Sequence, residues 1–183
     1  MQITVHQTPT ELSGKEVQVG YEAPAARITK LDNTQNVIGM IAPNVQLFII
    51  LPSLKTEVCS LGAKRFSELL KEKKKIDASI ITTDDIDFLQ GYVKENDLDK
   101  IEIVHDTQRQ FGKKYGILIS EGKLKDRLAR AVFIIDRDGL LRYKEIVSEV
   151  TDEVNYDACI EALDEVLSEK KKGHTHEDWM SVG

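Results

Sequence analysis

Residues 46–51 read QLFIIL, and residues 52–66 continue PSLKTEVCSLGAKRF. An apolar run of this length without alternation suits a central strand buried on both faces. Pro52 ends it, because proline fixes φ and removes a backbone donor. After Thr56 the pattern turns helical, with Val58, Leu61, Phe66, Leu69 and Leu70 expected on one side. A strand that feeds a helix through such a turn is the start of an α/β unit.

The same alternation continues outward. Residues 78–82 form a second strand-like run, followed by a helix expected over 85–96. A third run at 101–104 leads into a short helix through Phe111. Past a loop with Gly116 and Gly122, runs at 131–136 and 140–147 meet at Arg137-Asp138-Gly139, a hairpin signal. Residues 153–170 give a last helix, with Cys159, Ala162, Leu163 and Val166 at helical spacing. Towards the N-terminus, Ile3/Val5 and Val17/Val19, joined through Pro9 and Gly14, read as a β-hairpin. Residues 20–45 read as loop with one short strand. This order predicts an α/β, thioredoxin-like fold with an N-terminal β-hairpin extension. Residues 1–168 are expected to form the domain, and 169–183 a flexible tail.

The chain of 183 residues is long enough for one self-sufficient core. Its net charge of −6 argues against nucleic acid or an anionic membrane as the main partner. Lys71–Lys75 (KEKKK) fits the solvated end of a helix. Two cysteines 100 residues apart make neither a disulfide framework nor a metal quartet. No apolar run approaches transmembrane length, and the N-terminus lacks the layout of a signal peptide. A reducing, cytoplasmic setting is the expectation.

In an open α/β sheet, sites form beyond the carboxyl ends of the strands. Cys59 falls there, near the first turn of a helix whose positive end favours a thiolate. Thr56, three residues earlier, can face the sulfur or cap the helix, and both roles can coexist. Arg130 stands at the entrance of a strand expected to run antiparallel beside the central one, which brings it to Cys59. A guanidinium there favours the thiolate and can hold a substrate oxygen.

Pro52, Thr56 and Cys59 reproduce the P-x-x-x-T-x-x-C motif of the peroxiredoxins, and the chain resembles their thiol peroxidase subfamily over roughly residues 2–167. VGYEAP near residue 20, LPS at 51–53, YGILISEGKLKDRLARAVFIID at 115–136 and SEVTDEVNYDACIEAL at 148–163 carry the likeness. The resemblance implies a homodimer that reduces hydrogen peroxide or organic hydroperoxides. It makes Cys59 the peroxidatic nucleophile, with Thr56 and Arg130 orienting the peroxide and Pro52 shielding the sulfur. No cofactor or metal is implied.

The sequence also departs from that pattern. In the family, a resolving cysteine ends a D-L-P-F-A-Q-x-R-F-C segment, whereas here residues 85–94 end in Lys94, read as a solvent-facing helix residue. C-D-x-Q-T-R-[KR]-F has become CSLGAKRF, with Gly62 inside a helix, and the phenylalanine expected after Pro24 is replaced by Ala25 and Ala26. Cys159 reads as a core residue, with a substitute resolving thiol as the sharper alternative. His174 and His176 read as accidental spacing rather than a metal site. The expected activity is a one-cysteine peroxidase whose sulfenic acid is met by an external thiol, such as a thioredoxin-like protein. The alternative is a degenerate member acting as a peroxide sensor or binding module without turnover.

Overall fold

The computed structural model describes residues 1–169. Lys170, the expected end of the last helix, lies outside the described residues, as do the tail beyond it and His174 and His176.

In chain order the elements are β1 (Gln2–Val5), β2 (Thr8–Ser13), β3 (Ala26–Thr29), β4 (Gln35–Ile38), β5 (Val45–Ile50) and α1 (Glu57–Leu70). There follow β6 (Ile76–Thr82), α2 (Ile86–Glu95), β7 (Ile101–Asp106), α3 (Gln110–Lys114) and β8 (Leu118–Ile119). The described chain closes with β9 (Ala131–Ile135), β10 (Leu141–Ile146) and α4 (Tyr156–Ser168). Among the described residues, one seven-stranded sheet has the order β10-β9-β5-β6-β7-β3-β4, and a smaller one the order β1-β2-β8. β5 runs parallel to β6 and antiparallel to β9.

All six residues of β5 are buried, as its uninterrupted hydrophobicity requires. Side chains alternate across a strand. Leu47 and Ile49 therefore join Ile80, Ile103, Val132 and Ile134 in the core under α1, α2 and α4. Phe48 and Ile50 join Ile81, Val104, Phe133 and Ile135 in the opposite core, against α3 and the N-terminal hairpin. Each such fully buried side chain contributes about 2 kcal/mol of transfer free energy.

Several expectations need correction. The hairpin pairs β1 with Thr8–Ser13 and turns at His6 and Gln7, both at positive φ. Val17 and Val19 lie outside it, one buried in an irregular segment and the other exposed. Residues 20–45 hold two strands, β3 and β4, which extend the sheet beyond β7. On α1 the buried positions are Cys59, Gly62, Ala63, Phe66 and Leu70. Val58 and Leu61 are exposed, because the buried stripe runs through positions 59, 62, 63, 66 and 70 and leaves them off that face. α4 starts at Tyr156, after Asn155 caps it by accepting from the Ala158 amide at 3.0 Å.

Candidate active site

The register of the sheet assembles the site. β9 is antiparallel to β5 and pairs Ala131 with Ile50, so the residue entering β9 lies beside the end of β5. That residue is Arg130. From the end of β5 the chain turns through Pro52 and Ser53 to Thr56, the N-cap of α1. Cys59 follows in the first turn, facing the sheet. Pro52, Thr56, Cys59 and Arg130 all line one pocket of about 290 Å³.

Cys59 is 1% exposed and Arg130 5%. Arg130 Nη2 lies 3.2 Å from Cys59 Sγ, while Nε donates to the Val150 carbonyl at 3.2 Å. Among the described residues no carboxylate pairs with Arg130. A buried cation calls for partners, and the side-chain atom that faces this guanidinium is the sulfur of Cys59.

The Thr56 hydroxyl donates to the Ser53 carbonyl at 3.1 Å and accepts from the Cys59 amide at 3.4 Å. It thus caps the helix, bonding the backbone of Cys59 rather than its sulfur. Such a cap contributes about 1 kcal/mol. Pro52 is buried at the pocket wall. The walls are mainly carbon, with Val58, Leu124 and Val150 joining Pro52, and Glu57 and His6 add a carboxylate and an imidazole.

The N-terminal hairpin braces the Arg130 side. The Thr4 amide donates to the Ser148 carbonyl at 2.7 Å, and the Val150 amide donates to the Thr4 carbonyl at 2.9 Å. Glu149 accepts from the Gln7 amide at 2.7 Å and from the Thr151 amide at 2.8 Å. Burial alone would raise its carboxyl, but these backbone donors and the hydroxyls of Thr151 and Thr4 bring it down to about 2.

Cys159 lies elsewhere, wholly buried on α4 in the core between that helix and the sheet. Burial, with the Glu145 carboxylate nearby, pushes its thiol up from 9 to about 12. Both cysteines are free thiols. Lys94 is exposed on α2. Among the described residues no cluster of His, Cys, Asp and Glu could hold a metal ion, and no helix is long and apolar enough to cross a membrane.

The sequence reading missed Asp84, Ser53 and Arg127. Asp84 Oδ1 accepts from Ser53 Oγ at 2.7 Å and from Arg127 Nη1 at 2.8 Å, and Oδ2 accepts from the Leu54 amide at 2.7 Å. The one available signal was position: Asp84 lies two residues past the end of β6, at a carboxyl end of the sheet.

Residues 18–160 match the Redoxin family model. The chain is 36% identical over 160 residues to a thiol peroxidase of Aquifex aeolicus, covering 87% of this chain and 94% of that protein. It is 32% identical to a thiol peroxidase of Helicobacter pylori, over 88% of this chain and 98% of the other. A solved peroxiredoxin-like protein from Aquifex aeolicus superposes with a TM-score of 0.87 at 33% identity, covering 90% of this chain and 96% of that one. A Chromobacterium violaceum thiol peroxidase gives a TM-score of 0.82 at 20% identity over 90% and 96% of the two chains, which bears on the fold alone.

Proposed function

Since the chain belongs to the Redoxin family, among its thiol peroxidases, we propose that it reduces hydroperoxides with Cys59 as the single reacting cysteine. One observation carries the assignment of Cys59: the buried Arg130 guanidinium has its Nη2 on the sulfur and no carboxylate partner among the described residues.

In the first step the Cys59 thiolate attacks the terminal oxygen of a hydroperoxide. The S–O bond forms as the O–O bond breaks, and the departing alkoxide or hydroxide takes up a proton to leave as alcohol or water. Sulfur loses two electrons and becomes sulfenic acid, and the peroxide gains them. Arg130 is placed to stabilise charge on the thiolate and on the peroxide oxygens as the bond breaks. Thr56 holds the first turn of α1, and Pro52 closes the wall against water. The pocket's mainly carbon surface suits an organic hydroperoxide as well as hydrogen peroxide.

An external thiol then attacks the sulfenic sulfur and releases water. A second thiol cleaves the mixed disulfide and returns Cys59 as a thiol. Lys94 on α2 and a neutral, buried Cys159 leave this chain without a second thiol suited to that task, which supports an external reductant. We take the reductant to be a thioredoxin-like protein, the working unit to be a homodimer in the cytoplasm, and residues 1–168 to be the peroxidase domain. A sensor or binding module without turnover is not favoured, since the matched relatives are thiol peroxidases.

The test is steady-state consumption of cumene hydroperoxide and hydrogen peroxide with dithiothreitol or a reduced thioredoxin. Turnover by the wild type and none by Cys59→Ser is the expected result. Equal turnover by both proteins contradicts the assignment of Cys59.

A further inference from the structure

Arg127 lies three residues before Arg130 and lines the same pocket. Its side chain is about a third exposed, whereas that of its partner Asp84 is wholly buried. Asp84 is itself anchored in the sheet. Its amide donates to Thr82 Oγ1 at 3.2 Å, and its carbonyl lies 2.7 Å from His105 Nδ1 at the end of β7. From that fixed point one carboxylate grips both walls of the pocket. Ser53 Oγ and the Leu54 amide bind it from the turn that leads to Thr56 and Cys59, and Arg127 binds it from the segment that leads to Arg130.

We propose that Asp84 and Arg127 are positioning residues whose ion pair sets Arg130 against Cys59. Stability alone gives a weak reason for such a pair, because apolar replacements of buried ion pairs are often as stable. An ion pair is directional, however, and this one spans the gap across which the guanidinium must meet the sulfur. Lys125 and Arg127 take up the turn after Gly122 through the Lys125 amide to the Gly122 carbonyl and the Arg127 amide to the Leu124 carbonyl. The Ala129 amide then donates to the Ile117 carbonyl at 2.9 Å. Arg130 is thus reached from Arg127 through a short, hydrogen-bonded stretch, and a shift at one end is carried to the other.

This inference rests on the reading of Cys59 and Arg130 as the reacting pair. The experiment is single-turnover oxidation of Cys59 by hydrogen peroxide in the wild type, Arg127→Met, Arg130→Met and the double variant. Arg127→Met is expected to slow oxidation about tenfold, since small displacements of reacting groups carry losses of that order. With Arg130 already replaced, adding Arg127→Met is expected to leave the rate unchanged, because Arg127 acts through Arg130. Arg127→Lys, which restores the cation, is expected to recover most of the loss. An unchanged rate in Arg127→Met overturns the proposal, and so does an equal loss with and without Arg130. If Arg127→Met fails to fold because Asp84 is left without its counter-ion, Asp84→Asn takes its place in the same comparison, with the same expectations. If peroxide does not oxidise the wild type, the peroxidase reading falls. Alkylation of Cys59 by iodoacetamide in the same proteins, which involves no peroxide, then decides the positioning claim by the same pattern of rates.

Discussion

Cys59 and Cys159 are equally hidden, at 1% and 0% exposed, yet their surroundings point to opposite chemistry. Cys59 sits in the first turn of a helix, with a guanidinium 3.2 Å from its sulfur and an open pocket beside it. Cys159 also lies near a helix start, as the fourth residue of α4, but it faces the core, where burial and the Glu145 carboxylate both disfavour its thiolate. Burial is common to the two, so burial does not decide reactivity. What differs is the sign of the nearest charge and whether a substrate can arrive.

The sharpest way to break this contrast is to take the cation from Cys59. Arg130→Met should slow single-turnover oxidation of Cys59 by about a hundredfold, the usual loss when a preorganised donor is removed from a charge-developing site. An unchanged stopped-flow rate would show that the pocket, rather than Arg130, activates the sulfur.

The second effect is on stability and concerns Cys159. Its thiol is raised in the fold from 9 to about 12, so its neutral form is the one the fold favours. The stability this gives is complete below pH 9 and is lost as pH rises towards 12. Between those values the wild type should lose about 1.4 kcal/mol per pH unit more than Cys159→Ala. Urea unfolding of both proteins across pH 8 to about 11 measures the gap. A gap that does not change with pH would mean that Cys159 is not a buried neutral thiol.

The smallest expected effect is on activity. Cys159→Ala should keep peroxide turnover within about twofold of the wild type at pH 7, because the two sulfurs belong to separate surroundings. A large loss in the steady-state assay would restore Cys159 as a resolving thiol.

The features legible in the sequence were those written in local periodicity or in strand order. QLFIIL declared the central strand, and the hairpin order placed Arg130 at its end, because an antiparallel neighbour begins where the central strand stops. Within residues 20–45 only one of the two strands β3 and β4 is expected from the sequence, because each has only four residues and β4 has no buried position. The Asp84–Arg127 pair spans 43 residues and follows no repeat, so only the folded sheet shows it.

Gly62 reads in the sequence as a weak point of α1, costing about 1 kcal/mol relative to alanine. In the structure it makes room: a Cβ there would stand 3.1 Å from the Tyr156 hydroxyl. Tyr156 also packs against Phe66 and lies beneath the Arg65 guanidinium, tying α4 to α1 behind Cys59. The glycine that looks like damage to a helix serves a contact between two.

The most direct test of the contrast between the two cysteines is intact mass after one equivalent of hydrogen peroxide, with and without a sulfenic-acid trap. A single trapped adduct that maps to Cys59, with Cys159 still a free thiol, is the predicted result. A loss of two hydrogens that maps to a Cys59–Cys159 disulfide would contradict it.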